Sequence, residues 1–222
     1  MALETIEGVT GPQPVATVIV LHGLGADGND FVPIAQQLDL RPVGAVRFVF
    51  PHAPVRAVTL NGGARMRAWY DIVDLNLLQR EDEAGLRASR VEVQALIDKE
   101  IARGIAAERI VLMGFSQGSA MTLLTGLRAP QRLAGLVGLS GYLPLASTTA
   151  AERGEANQKT PIFMAHGRQD PLVPHAGGVA SRDALRQLGY EVEWHDYPME
   201  HAVCNEEIAD LNRWLVKVLK PA

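Results

Sequence analysis

The chain is short of several things that specialised proteins carry. Its 222 residues include one cysteine, Cys204, so no internal disulfide can form and no multi-cysteine zinc site can be built; a reducing, cytoplasmic setting is expected. No block of lysine or arginine occurs, and 21 basic against 25 acidic residues leave a net charge of −4. A nucleic-acid partner is therefore not expected, because phosphate binding needs a basic footprint. The longest apolar run near the start, Val15 to Leu21, is interrupted by Thr17 and falls far short of the ~20 residues of a membrane span. The opening MALETIEGVT carries two acids and neither a basic stretch nor an apolar core, so no signal peptide is expected. Repeats and low-complexity linkers are absent as well.

What is present is an ordinary globular composition, 47% hydrophobic and 21% charged. A chain this long buries about 70% of its unfolded surface. Short apolar runs alternate with helical stretches, the pattern of a mostly parallel sheet covered by helices on both faces, an α/β architecture. The strands expected are Val15–Leu21, Val46–Phe50, Ile110–Phe115, Leu133–Leu139, Pro161–His166 and Glu191–Tyr197. The helices expected are Glu83–Arg103, Ser119–Leu127, Ala180–Leu188 and Glu206–Leu219. In the first of these, Leu86, Val93, Leu96, Ile97 and Ile101 form one buried stripe, and Gly104 ends it. One domain, 1–222, is expected. Two stretches follow neither period: Val55 to Asp82, too long for a plain connection and so read as a lid or pocket wall, and Tyr142 to Thr160.

The chemistry concentrates at Gly114-Phe115-Ser116-Gln117-Gly118, a G-x-S-x-G motif set between an apolar strand and a helix. A serine in that turn takes a strained backbone conformation, possible only if the residues two before and two after lack bulk. A hydroxyl is a weak nucleophile; it needs a neutral imidazole to take its proton and a carboxylate to hold the imidazole's tautomer. In the chain order serine, acid, histidine, the candidates are Ser116, Asp170 just past a strand, and His201 after the last strand. Asp196, in the last strand, and Asp183, on a helix, are the alternatives for the acid. His22 and His52 end strands and are expected to bond loop backbone, His166 to brace the acid loop, and His175 and His195 to lie at the surface or a strand edge. Ser119 and Ser140 lack the elbow context, and Cys204 reads as a small buried hydrophobe. His22-Gly23-Leu24-Gly25 follows the first strong strand, where the backbone amides of Leu24 and of Gln117 can face a developing oxyanion. Asp27, Asn29 and Asp30 read as caps of the next helix rather than metal ligands, so no metal and no organic cofactor is expected.

With these motifs in hand, the sequence resembles the acyl-protein thioesterase, carboxylesterase and lysophospholipase family of small α/β-hydrolases. The likeness runs nearly end to end: besides HGLG and GFSQG it includes PHAPVRAVTLN from Pro51, WYDI from Trp69, LAGLVGLSGYLPL from Leu133 and HGRQDPLVP from His166. The resemblance implies Ser116 as nucleophile, His201 as base, Asp170 as orienting acid, the Leu24 and Gln117 amides as oxyanion hole, and a lid or acyl-channel wall at about 55–82. Ser119, where many relatives have glycine, and Tyr70, where phenylalanine is frequent, are departures that bear on pocket shape and not on the triad. The expected activity is cleavage of carboxylic esters with short to medium acyl chains through an acyl-enzyme. The alternatives are an acyl-protein thioesterase (depalmitoylase) or lysophospholipase and, in a different class, an idle binding protein on the same fold. Trp69, Leu75, Leu77, Leu78 and Leu143 are the candidate substrate contacts. Partners are then an ester or thioester, an acylated protein or a lysophospholipid, with apolar lid side chains suited to a weak homodimer.

Overall fold

The computed structural model describes residues 3–74 and 80–220. Nine strands are formed among them: β1 Thr5–Val9, β2 Ala16–Leu21, β3 Val46–Pro51, β4 Val55–Val58, β5 Ala64–Arg67, β6 Ile110–Phe115, β7 Gly135–Leu139, β8 Ile162–Gly167 and β9 Val192–Tyr197. The α-helices are α1 Val32–Ala35, α2 Glu83–Ala102, α3 Gln117–Gly126, α4 Ala146–Glu152, α5 His175–Gln187 and α6 Asn205–Leu219. Seven strands make one sheet in the order β1-β3-β2-β6-β7-β8-β9, and β4 and β5 pair in a separate hairpin. Only β1 runs antiparallel within the large sheet. This is the expected single-domain, mostly parallel α/β-hydrolase arrangement.

The central strands of the sheet are largely apolar because successive side chains enter different cores. Ile19, Leu21, Ile110, Leu112, Leu136, Ile162 and Met164 point to one face, where α2, α3 and α5 supply Leu86, Val93, Ile97, Leu123, Leu124 and Leu185. Val18, Val20, Val111, Met113, Val137, Phe163 and Ala165 point to the other, against Leu211, Trp214, Leu215 and Leu219 of α6. Each such aliphatic or aromatic side chain taken from water contributes about 1.5–3 kcal/mol. Helix α2 starts where Asp82 accepts from the Gly85 amide at 3.0 Å and stops at Gly104, whose φ of +92° suits glycine.

Four elements, β1, β4, β5 and α4, are additions to the expected set. Strand β1 is half-exposed and polar, so its sequence carries no apolar period; it is held through Glu7, which accepts from Lys99 at 3.1 Å and Arg103 at 2.8 Å. The β4–β5 hairpin turns part of the expected lid into ordered structure, and α4 forms in the stretch that showed no period. Three helices begin earlier than expected, α6 by a single residue at Asn205. Helix α3 starts at Gln117, directly after the serine, and α5 at His175, where the closely spaced Gly177 and Gly178 mask the apolar period. Gly178 is required there, since a Cβ would lie 2.5 Å from His166 Nδ1. Strand β7 starts at Gly135 rather than Leu133, because the Leu133 amide is taken by Asn157 Oδ1 at 3.0 Å. The polar residues before α1 do not cap it: Asp27 accepts from the Asn29 amide at 2.7 Å in a local turn, and Phe31 occupies the N-cap.

Candidate active site

Ser116 sits between β6 and α3 with φ 56° and ψ −119°, a conformation that costs an L-residue about 1–3 kcal/mol. The surroundings over-determine it. Its amide donates to Leu139 O at 2.9 Å, and its carbonyl accepts from the Ala120 amide at 3.2 Å. A Cβ on Gly118 would lie 2.0 Å from Leu21 O and one on Gly114 2.1 Å from Gly118 O, so neither position admits a side chain. The two glycines therefore let α3 start tight against β2 and β6, which presents Ser116 at the carboxyl edge of the sheet.

Asp170 follows β8 and His201 follows β9, the neighbouring strand, so the sheet order brings them to one edge. Asp170 Oδ2 lies 2.6 Å from His201 Nδ1. Its other oxygen, Oδ1, accepts from the Leu172 and Val173 amides, each at 2.9 Å, which orients the carboxylate. With Nδ1–H donating to this carboxylate, Nε2 of His201 keeps its lone pair. The His201 ring packs on Phe115, the residue before Ser116, with ring centroids 4.7 Å apart. Among the described residues Ser116 Oγ makes no hydrogen bond; such contacts commonly close only when substrate is bound. His166 braces the acid loop: its Nε2 lies 2.8 Å from Val173 O and 3.4 Å from Asp170 Oδ2. Burial pushes its pKa below the ordinary imidazole value.

The alternative acids are engaged elsewhere. Asp196 pairs with Arg168 at 3.0 Å and Asp183 with Arg182 at 2.8 Å. His22 and His52 bond backbone, as expected: His22 Nε2 accepts from the Ala53 amide at 3.0 Å, and His52 Nδ1 accepts from the Gly28 amide at 3.1 Å. His195 and His175 lie partly exposed against carboxylates, Glu193 at 3.1 Å and Asp196 at 3.6 Å.

On the other side of Ser116 from Asp170 and His201 along the sheet, the His22–Gly25 loop adjoins the serine: a Cβ on Gly23 would lie 3.3 Å from Ser116 Cβ. The Leu24 and Gln117 amides, the candidate oxyanion donors, have no acceptor among the described residues. The first is in an irregular loop and the second is the first amide of α3, where the intrahelical ladder leaves N–H groups free.

The expected substrate contacts fare differently. Trp69 is wholly buried, its indole N–H donating to His22 O at 2.9 Å, so it packs behind the loop instead of facing a substrate. Leu143 is likewise a core residue, in contact with the α2–α3 side of the sheet. An apolar side chain in an aperiodic stretch looks the same in sequence whether it contacts a substrate or the core. Leu75, Leu77 and Leu78 lie outside the described residues. Two polar groups join the site that the motifs do not mark: the Gln117 side chain, which accepts from the Trp69 amide at 2.9 Å and donates to Tyr70 O at 2.8 Å, and Ser89, which donates to Trp69 O. For Ser89 a signal existed, since it stands on the apolar stripe of α2 between Leu86 and Val93. Among the described residues no helix is long and apolar enough to cross a membrane, and no three His, Cys, Asp or Glu side chains are grouped to hold a metal ion.

Acyl-protein thioesterase 1 of Neurospora crassa is 43% identical over 213 residues, covering 92% of this chain and 87% of the relative. The protein of the same name from Yarrowia lipolytica is 40% identical over 210 residues, covering 92% of each. Among solved structures, SOBER1 of Arabidopsis thaliana superimposes with a TM-score of 0.87 at 33% identity, covering 92% of this chain and 99% of that one. Acyl-protein thioesterase 2 of Zea mays does so with a TM-score of 0.84 at 30% identity, covering 96% and 99%. The sequence profile described as phospholipase/carboxylesterase matches residues 5–219, and the chain belongs to that family of α/β-hydrolases.

Proposed function

We propose that this protein is a serine hydrolase that cleaves acyl thioesters, with S-acylated polypeptide as the substrate class, through an acyl-enzyme on Ser116. The observation that carries the reading is the 2.6 Å contact of His201 Nδ1 with the buried, doubly braced Asp170 carboxylate, on the sheet edge that presents the strained Ser116. His201 Nε2 takes the Ser116 proton as Oγ attacks the acyl carbonyl. Asp170 holds the tautomer and stabilises the imidazolium. The Leu24 and Gln117 amides receive the oxyanion, a contribution of about 3–4 kcal/mol per donor. His201 then protonates the departing thiolate, and water activated by the same imidazole releases the acid.

A thioester asks less of the general acid than an alkyl ester does, because a thiol of pKa ~8.5 leaves far more readily than an alkoxide. The same machinery hydrolyses oxygen esters, so short carboxylic esters remain substrates of the coarser class. The relatives named acyl-protein thioesterase favour the thioester reading over the short-ester one. The test is a chain-length panel of acyl thioesters and matching oxygen esters, read as kcat/KM, alongside fluorophosphonate labelling of wild type and Ser116→Ala. Thioesters preferred at equal chain length, with labelling and turnover lost in Ser116→Ala, are the expected result. Turnover retained by Ser116→Ala refutes the mechanism. Oxygen esters preferred throughout refute the substrate class.

A further inference from the structure

The oxyanion donors proposed above lie on separate segments, the loop after β2 and the first turn of α3, and each needs a fixed peptide plane. We propose that Trp69 is the positioning residue that sets both. Every polar atom of this residue is engaged with a neighbour. Its amide donates to Gln117 Oε1 at 2.9 Å, its indole N–H to His22 O at 2.9 Å, and its carbonyl accepts from Ser89 Oγ on α2. Its side chain is 0% exposed, so no water competes for these bonds.

The route to Leu24 passes through two consecutive peptides. The indole pins the His22–Gly23 peptide by its carbonyl. The next peptide is pinned by the His22 ring. Because the Ala53 amide donates to His22 Nε2 at 3.0 Å, the ring proton must be on Nδ1, which lies 2.7 Å from Gly23 O. Burial lowers the His22 pKa and keeps the ring neutral for this role. Gly23 O and the Leu24 N–H belong to one planar trans peptide and point in opposite directions, so holding the carbonyl inward turns the amide outward. The His22 ring is in turn held against the indole, with centroids 5.4 Å apart.

The route to Gln117 is direct. Gln117 bonds the Trp69 amide and the Tyr70 carbonyl with its two amide atoms, a two-point clamp that fixes the first residue of α3 and hence its free N–H. The β4–β5 hairpin extends the same brace: the Gly25 amide donates to Arg67 O at 2.9 Å, and Arg67 Nη1 donates to Ala53 O at 2.9 Å. One buried residue thus ties the two halves of the oxyanion site to each other.

This inference rests on the hydrolase reading, and Ser116→Ala is the control that separates the two. The test is Trp69→Phe, which keeps the ring packing and removes the indole donor, assayed with an octanoyl thioester and with an alkyl trifluoromethyl ketone whose serine adduct carries the oxyanion. Displacing a donor by a fraction of an ångström to about 1 Å is expected to lower kcat by roughly 10- to 100-fold. KM should stay within about threefold, since the ground-state carbonyl gains little from the donors, and the ketone Ki should rise in parallel with the loss in kcat. A kcat at the wild-type level, or a raised KM with unchanged kcat, overturns the proposal; the second outcome is that of a substrate-facing wall. Where Trp69→Phe does not fold, Gln117→Met decides, because it keeps the backbone amide and removes the clamp: the same kcat and Ki pattern supports the proposal, and unchanged values overturn it. Loss of turnover in Ser116→Ala alongside a fully active Trp69→Phe sinks this inference alone, whereas turnover in Ser116→Ala sinks the hydrolase reading with it.

Discussion

Replacing Asp170 by asparagine separates the proposed orienting role of the carboxylate from its packing. In the native protein Oδ1 faces two amide donors, Leu172 N and Val173 N at 2.9 Å, and Oδ2 faces His201 Nδ1 at 2.6 Å. An asparagine must keep its carbonyl oxygen toward the two amides. The reverse orientation would set NH₂ against two N–H donors in a buried site, at a cost of about 1–3 kcal/mol per unsatisfied group. The NH₂ group is therefore forced toward His201, where it donates to Nδ1 and moves the ring proton to Nε2. That tautomer cannot accept the Ser116 proton. The expected loss is about 10⁴ in kcat at neutral pH, or roughly 5 kcal/mol of transition-state stabilisation. Steady-state turnover of an octanoyl thioester measures it, with a thermal melt beside it to show that the loop remains folded. A variant that melts normally and retains more than about a tenth of wild-type kcat refutes the assignment of Asp170 as the orienting acid.

The elbow strain gives a second prediction: Ser116→Gly should be more stable than Ser116→Ala by about 1 kcal/mol in chemical denaturation, because only glycine adopts φ 56° and ψ −119° freely; an alanine variant of equal or greater stability argues against stored strain. A third concerns Glu207, on the first turn of α6 and wholly buried. Burial raises its pKa from 4.5 to about 8, opposed in part by the nearby Cys204 amide. A raised acid makes the folded state hold its proton more tightly, so its contribution to stability is complete below pH 4.5 and is lost as pH rises toward about 8. Glu207→Gln removes the ionisation and should gain on wild type by a few kcal/mol across that window, at about 1.4 kcal/mol per pH unit at most. Parallel stability curves for the two proteins between pH 5 and 8 would contradict it.

Much of the fold is legible from periodicity. Runs such as Ile110–Phe115 and Ile162–Ala165 lack polar side chains because helices cover both faces of the sheet, and the 3.6-residue stripe of α2 survives in the structure nearly as drawn. The elements that escape notice are those whose stability comes from partners distant in sequence. Strand β1 is held by ladder bonds to β3 and by Lys99 and Arg103 at the end of α2, and the β4–β5 hairpin has four residues on each side, too few to show a period. Ser116, Asp170 and His201 stand out in the sequence because the elbow demands glycines at fixed offsets and the acid and base follow successive strands. Trp69 does not. An indole in an aperiodic stretch can face a ligand or a loop carbonyl, and only the packing of α2, α3 and the His22 loop around it decides which.

By itself, then, the order of residues determined the α/β layering, the strained turn at Ser116 and the succession Ser116, Asp170, His201 proposed as nucleophile, acid and base, since each depends on local sterics or on alternation along the chain. The tertiary structure decided which carboxylate reaches His201, which amides are left without acceptors and which aromatic residue braces them. These depend on which strands lie side by side: β9 next to β8 hands Asp170 to His201, and β2 next to β6 sets the glycine loop against Ser116. Neighbourhood of that kind is set by packing across the sheet, which no local pattern records.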